Sequence, residues 1–456
     1  MSGGTAGAGP VRLFDYSPVS EPEVRDLCRQ LQAELDDGRI SVLSPWAAEE
    51  EKRPVLFGSF NGGYYTKKYV GFLSYQGREI QIGSRFDQDG GGFFLTYVLS
   101  RALDIPLKAF PDQKTGADAG MNWDLLLALL FIEQLKAAFV RGLYRQYRTF
   151  HYNDASPKGR LDIARHIRLN GMLNNGKCAY DAREYTLDNP VNRIILLAWD
   201  CLLHRGEMVR RVVEEQAAIH GDLRIALQQL RYSISAFGQP SVQTVLQQAS
   251  RRVTHTVYSQ YEPLRQTALL IVRRMGLEAF QKDTHQMAGL VFPMDWMWEL
   301  FLQKAVLCSN EGWTATAQHK VKLLKNGLGK WEYTARPDFL LKKGPETVVL
   351  DAKYKVGWEE LYLETPDWNR VRDDLYQVIS YLHIFGASRG GVIFPLREES
   401  GEIRAYSLCE RLPDQLALVP LPIPQRGRYE SYDQYRELFD ENCAKTREYI
   451  FQSISS

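Results

Sequence analysis

The sequence predicts an α+β chain of several domains: a β-rich N-terminal domain over residues 1–120, a helical middle domain over 121–285, and a C-terminal α/β domain over 286–456 with a central mixed sheet. Three observations predict this. The 456 residues are 45% hydrophobic, enough for two or three cores and too many for one ordinary domain. Short β-prone runs between turn signals dominate from about 39 to 87, and helical periodicity takes over near residue 121. After about residue 286 the order is helix, three strands, helix, strand, which is that of an α/β module.

Each element has a local reason. Residues 1–10 are rich in Gly and Ala and are expected to be disordered. Val70–Tyr75 and Glu79–Ile82 read as strands, punctuated at Asn61-Gly62-Gly63 and Gln76-Gly77. Gly90-Gly91-Gly92 reads as a loop without phosphate-binding spacing. Asn122 is placed to cap a helix from Trp123 to about Leu143. Asn189 is a good N-cap, and Pro190 at the first helical position gives up no useful donor. Helical periodicity then continues, with breaks, to Arg274. Further on, Met294–Cys308 and Asp367–Phe385 read as helices. Thr314–Leu324, Trp331–Leu341, Thr347–Tyr354 and Gly391–Phe394 read as strands.

Composition narrows the function classes. Fifty-six basic residues face 55 acidic ones, so any nucleic-acid binding must come from locally gathered charge. Six scattered cysteines without C-x-x-C spacing fit reduced thiols rather than disulfides or zinc. None of the eight histidines has metal-binding spacing; His166 and His383 lie on expected helices as ordinary polar residues. The longest apolar run, Leu125 to Ile132, is eight residues and falls far short of the ~20 a membrane span needs. No signal peptide core is present at the N-terminus. A cytoplasmic protein with no membrane partner is expected.

The informative stretch is Arg336-Pro337-Asp338-Phe339-Leu340-Leu341 followed by Val348-Val349-Leu350-Asp351-Ala352-Lys353-Tyr354. Strand alternation puts Val348, Leu350, Ala352 and Tyr354 on one face and aims Asp351 and Lys353 from the other. Phosphodiester cleavage has a use for both. Carboxylates hold Mg²⁺, which polarises phosphate and lowers the pKa of bound water, and a lysine orients that water or offsets developing charge. Asp338 supplies a second carboxylate if its strand lies beside that of Asp351. Pro337, lacking an N–H, suits a bulge or strand edge that re-aims the next side chain. Taken alone, an Asp-x-Lys strand is more often a solvated face.

The order Pro-Asp, then Asp-x-Lys, with helices on both sides, resembles the PD-(D/E)xK nuclease fold over roughly residues 290–395. That resemblance implies a further metal-associated acid from the preceding helix, where Glu299 stands at the matching place. In the following helix Asp374, Gln377 and Tyr381 share a face. Gln377 is placed to hydrogen-bond the lysine, a water or the phosphate, and Tyr381 reads as a packing residue with its hydroxyl tied down.

The wider pattern is similar to the McrC family, nuclease subunits of McrBC-type modification-dependent restriction systems. It rests on Gly142-Leu143-Tyr144, Lys158-Gly159-Arg160-Leu161-Asp162, Asp188-Asn189-Pro190-Val191-Asn192-Arg193 and Asp374-Leu375-Tyr376-Gln377, together with the Asp338 and Asp351–Lys353 segments. It covers about residues 65–395. The resemblance implies an AAA+ GTPase partner ring, McrB-like, that binds modified DNA, while this chain docks, stimulates GTP hydrolysis and cuts. No G-x-x-x-x-G-K-[ST] loop occurs in the chain, and Gly327-Leu328-Gly329-Lys330-Trp331 lacks both its spacing and its Ser/Thr. A motor must therefore come in trans.

Residues 141–172 carry Arg141, Arg145, Arg148, Lys158, Arg160, Arg165 and Arg168 against Asp154 and Asp162, with four aromatics interleaved. Two readings stand side by side: a contact to double-stranded DNA or the partner ring through Arg145, Arg148, Lys158 and Arg160, or a solvated helix face with its aromatics packed inward. Gly159–Asp162 reads alternatively as structural, with Asp162 pairing an arginine. The expected function is a Mg²⁺-dependent DNA endonuclease subunit of an anti-phage restriction complex. Asp338, Asp351 and Glu299 would be metal ligands, and Lys353 and Gln377 catalytic. The alternatives are a non-catalytic activator of an AAA+ ring and a stand-alone nuclease.

Overall fold

The computed structural model describes residues 10–44, 54–60, 62–88, 91–103, 122–171, 175–235, 240–276, 287–308, 312–327, 329–363, 367–387, 389–398, 401–409 and 412–453. The expectation of disorder for 1–10 falls almost wholly outside them. The chain forms two compact units, Met1–Met121 with Thr284–Ser456, and Asn122–Asp283.

The first unit opens with β1 (Val11–Phe14), α1 (Pro22–Asp36), β2 (Ser41–Leu43), the hairpin β3 (Phe57–Phe60) and β4 (Gly63–Thr66), the hairpin β5 (Tyr69–Tyr75) and β6 (Arg78–Gly83), and α2 (Phe93–Ala102). Pro22 starts α1 without losing a ladder bond, and Val24, Leu27, Cys28, Leu31 and Leu35 fall at helical spacing on its buried face. Gln76 and Gly77 both take positive φ, 49° and 74°, as the two-residue turn between twisted strands requires.

The second unit contains α3 (Trp123–Phe139), β7 (Gln146–Asp154), β8 (Arg160–Leu161), α4 (Ile163–Asn170), β9 (Cys178–Thr186), α5 (Pro190–Leu203), α6 (Glu207–Ile219), α7 (Gly221–Ser235), α8 (Val242–Ala249) and α9 (Tyr261–Gly276). Asn122 caps α3 by accepting from Leu125 N–H at 3.0 Å, and Asn189 caps α5 through Asn192 N–H at 3.0 Å. Two expectations change here. The α3 helix stops at Phe139 rather than near Leu143, with Gly142 at φ 87°. The unit is also not purely helical, because β7, β9 and β8 form a sheet in that order. Along β7, residues alternate strictly between half-buried and exposed, the period of a strand and not of the helix face weighed above.

The chain then returns to the first unit with β10 (Met287–Pro293), α10 (Met294–Phe301), β11 (Thr314–Ala317), β12 (Val321–Lys325), β13 (Trp331–Ala335), β14 (Phe339–Lys343), β15 (Glu346–Ala352), α11 (Val356–Leu363), α12 (Arg372–Phe385), β16 (Arg389–Leu396), β17 (Arg404–Cys409), β18 (Leu412–Pro422) and α13 (Tyr432–Ser453). The expected helix 294–308 is α-helical only to Phe301 and continues as a π-helical turn, Leu302–Val306. Two long expected strands are each broken. Thr314–Leu324 splits at Gln318, held at φ 51°, and Trp331–Leu341 splits around Pro337.

Two sheets organise this unit. One is six-stranded and mixed, ordered β11-β14-β15-β16-β18-β17. The other is ordered β1-β6-β5-β10-β2, so a strand from the C-terminal segment lies inside the N-terminal sheet. Segments 1–120 and 286–456, expected as separate domains, are therefore one unit. Glycine makes the junction possible: a Cβ on Gly289 would stand 1.9 Å from the Phe72 carbonyl oxygen.

Arg85, 3% exposed, joins the same two segments. Its Nη2 donates to the Tyr354 carbonyl at 2.7 Å, and its guanidinium lies 4.2 Å from the Tyr354 ring centre. Asp15 Oδ2 is 3.5 Å from Nη1 and Glu359 Oε2 is 3.9 Å from Nε. Replacing Arg85 by Met is expected to lower the unfolding free energy by about 3–5 kcal/mol, since it leaves buried Asp15 without its nearest cation and Glu359 with Arg397 alone. Urea denaturation measures this; a loss within experimental error would show that the network contributes little.

Candidate functional site

β14 and β15 pair antiparallel with Phe339 opposite Leu350, a register that brings Asp338 beside Asp351. The Pro337 break lets Asp338 turn toward the end of β15, where its Oδ2 accepts from Ala352 N–H at 2.8 Å. Asp351 is buried. Lys353 follows it, its N–H donating to the Ile393 carbonyl at 2.9 Å so that β15 stays aligned with β16.

Lys353 Nζ lies 2.5 Å from Asp351 Oδ2, donates to Gln377 Oε1 at 3.1 Å and is 3.7 Å from Asp374 Oδ1. Gln377 in turn donates to the Tyr381 hydroxyl at 2.9 Å, and that hydroxyl donates to the Arg336 carbonyl at 3.1 Å. A chain of hydrogen bonds from α12 thus fixes both the lysine and the loop that presents Asp338. Asp374 is taken up differently: Lys355 at 2.7 Å and Trp358 Nε1 at 3.1 Å hold it. Burial works against its charge, but those hydrogen bonds and the nearby lysines keep its pKa below the usual carboxylate range.

Glu299, on α10, comes to the same corner. Its Oε2 accepts from Gln318 Nε2 at 2.8 Å, while Gln318 N–H donates to the Asp338 carbonyl at 2.8 Å. Sequence reading missed Gln318. Its left-handed backbone is the signal, and that is not visible in a residue type that usually avoids it. Trp296, Glu299, Leu300, Gln318, Asp338 and Phe339 line a cleft of about 280 Å³.

Electrostatics set the character of the corner. Burial, with the charges of Asp351 and Glu299, pushes Asp338 up to about 9. Burial, with Asp295 and Asp351, pushes Glu299 up to about 7. Burial disfavours the Lys353 ammonium, but Asp351, Asp374 and Asp338 more than offset this and raise it. Lys353 therefore stays a cation, suited to orienting and stabilising rather than accepting a proton.

The donor set fits a hard divalent cation. Asp351 Oδ2 is buried and has the Lys353 ammonium as its partner at 2.5 Å. Asp338 commits one oxygen to Ala352, and all three donors are carboxylates. As arranged, no three His, Cys, Asp or Glu form a metal-holding group among the described residues.

A family model described as McrBC 5-methylcytosine restriction system component matches residues 65–395. The chain belongs to the McrBC family. A chain of the solved Thermococcus gammatolerans structure described as a half-complex of McrB AAA+ hexamers with bound McrC is 17% identical, with TM-score 0.49, covering 96% of this chain and 99% of that one. A second, from the cryo-EM structure of the Thermococcus gammatolerans McrBC complex, is 16% identical with TM-score 0.34, covering 65% and 86%. No curated protein matches.

The remaining expected residues lie in the second unit of this McrBC family member. Arg145, Lys158 and Arg160 are exposed. Arg148 is not a free contact: its Nη1 donates to Asp188 Oδ2 at 2.9 Å and to the Asp188 carbonyl at 2.8 Å. Asp162 caps α4 through Arg165 N–H at 2.9 Å and lies 3.6 Å from the Arg165 guanidinium. Gly171 to Cys178 has phosphate-loop spacing through Gly176-Lys177, closer than the 327–331 segment. It ends in Cys178, however, and leads from a helix into a strand, the reverse of the required order. No helix among the described residues is long and apolar enough to cross a membrane.

The raised carboxyls predict a pH dependence. With folded values of about 9 for Asp338 and about 7 for Glu299, against unfolded values near 4, the folded chain binds more protons through that window. Their contribution to stability is complete below about pH 4 and is lost as pH rises toward about 9. In chelator-treated protein the urea midpoint is expected to fall from about pH 6 to about pH 9, and Asp338→Asn to flatten that fall. An identical slope in the variant would remove Asp338 as its source.

Proposed function

We propose that this chain is the Mg²⁺-dependent DNA endonuclease subunit of a McrBC-like restriction complex, with a PD-(D/E)xK nuclease domain. It cuts double-stranded DNA when an AAA+ GTPase partner activates it, and it stimulates that partner's GTP hydrolysis. The observation that carries the reading is the convergence of Asp338 and Asp351 from adjacent strands with Lys353, beside a cleft that Asp338 and Glu299 line. Family membership and the lack of a complete phosphate-binding loop in this sequence support a motor supplied by another chain. An activator without chemistry would have no need to keep buried like charges together.

Asp338, Asp351 and Glu299 would hold Mg²⁺, which when bound supplies Lewis acidity and a more acidic water. The other work belongs to this chain. Lys353, kept protonated by its carboxylate neighbours, directs an ammonium at the charge that grows on the phosphate oxygens. Gln377 and Tyr381 hold that ammonium in place, so little reorganisation is needed when the phosphate arrives.

Asp351→Ala or Lys353→Ala is expected to lower DNA cleavage by about 10²–10³-fold or more while stimulation of the partner's GTPase survives. Cleavage and GTP hydrolysis assayed on the same reconstituted complex give both readouts. Undiminished cutting by both variants would place the active site elsewhere. Cleavage by the wild-type chain with Mg²⁺ alone would make it a stand-alone enzyme.

A further inference from the structure

β12 and β13 form a two-stranded ribbon outside both larger sheets. Residues 318–336 hold Lys320, Lys322, Lys325, Lys330 and Arg336 against Glu332. All four lysines are exposed, and none of their ammonium groups is in an ion pair among the described residues. Leu324, Trp331 and Tyr333 are 57%, 44% and 57% exposed, and Lys325 Nζ lies 5.6 Å from the Trp331 ring centre.

A ribbon that buries neither face is marginal by itself, and large apolar rings left in water mark a surface that something covers. The roots of the ribbon are fixed to the acidic corner. Gln318, at one end, hydrogen-bonds Glu299 and the Asp338 carbonyl. At the other end, the Arg336 carbonyl accepts from Tyr381, and Pro337 leads into Asp338. The acidic corner repels a polyanion, and the chain's net charge of +1 offers no general attraction. The ribbon supplies the missing positive charge where it is needed.

We infer that the β12–β13 ribbon is a binding surface for double-stranded DNA. Lys320, Lys322, Lys325 and Lys330 contact backbone phosphates, and Trp331 and Tyr333 pack against the groove wall. A two-stranded ribbon has the dimensions to enter the major groove of B-DNA. This deepens the nuclease reading and rests on it.

The test is the full-length chain with all four lysines changed to Gln, compared with the wild-type chain for binding a short duplex by fluorescence anisotropy across KCl concentrations, with Ca²⁺ in place of Mg²⁺. Each lost phosphate contact lowers the slope of log affinity against log salt by about 0.9, so a reduction of about 2–4 and at least tenfold weaker binding at low salt are expected. Because the lysines are exposed, the melting temperature should hold, and Lys445→Gln on α13 should leave the slope alone. If the wild-type chain binds the duplex and the quadruple variant matches its slope and affinity, the ribbon inference fails while the nuclease reading stands. If the variant instead loses only binding to the AAA+ partner, the surface is a protein interface and the inference is overturned. If the wild-type chain neither binds nor cuts duplex DNA, even with partner and GTP, the nuclease reading fails first and takes the ribbon with it.

Discussion

The buried Arg85 guanidinium constrains the rest of the first unit. It sits among Asp15 from one end of the chain and Glu359 and Tyr354 from the other, 3% exposed. Two of its nitrogens, Nε and Nη1, have no hydrogen bond, so charge and the Tyr354 and Phe86 rings hold the group. Burial raises the Asp15 pKa in spite of the arginine. Such a cluster is tolerable only if every partner arrives. This makes the N-terminal sheet a structural requirement for the strands that hold Asp338, Asp351 and Lys353.

The site obeys the opposite logic. Glu299, Asp338 and Asp351 gather like charges in a half-buried corner, which lowers stability unless a cation or protons offset them. Arg85 resolves its charges within the fold, whereas the acidic corner leaves part of its charge for something outside the chain to resolve. Lys353 compensates part of it and is held by Gln377, whose orientation Tyr381 fixes. Perturbed groups in a cleft are what a catalytic or binding site requires.

What the sequence made legible was punctuation. The break at Pro337 and the caps at Asn122 and Asn189 are local rules that the fold keeps, whereas β15 is buried on both faces from Val348 to Ala352. What stayed hidden depends on chain returns. The left-handed turn at Gln318 and the separation of β12–β13 from the main sheet come from the chain leaving one sheet and re-entering it, which strand propensity cannot show. The pairing of β10 with β5 joins residues more than 200 apart. In 141–172 the basic and aromatic residues drew attention to composition, while the two-residue alternation of β7 was the better guide.

One register argument connects these observations. Side chains on a strand alternate, so fixing one face aims the other. Tyr354 is fixed by Arg85 at its carbonyl and ring and by Ser84 at its hydroxyl, 2.8 Å away. A slip of one residue would turn Lys353 toward the Arg85 guanidinium, setting two cations together in a buried space, and would bring Tyr354 to the acidic cleft. Both changes are unfavourable, and they reinforce each other. The charge network around Tyr354 therefore favours the register that sets Asp351 and Lys353 together beside Gln377. A short, degenerate motif gains its meaning in this way from the far end of the chain.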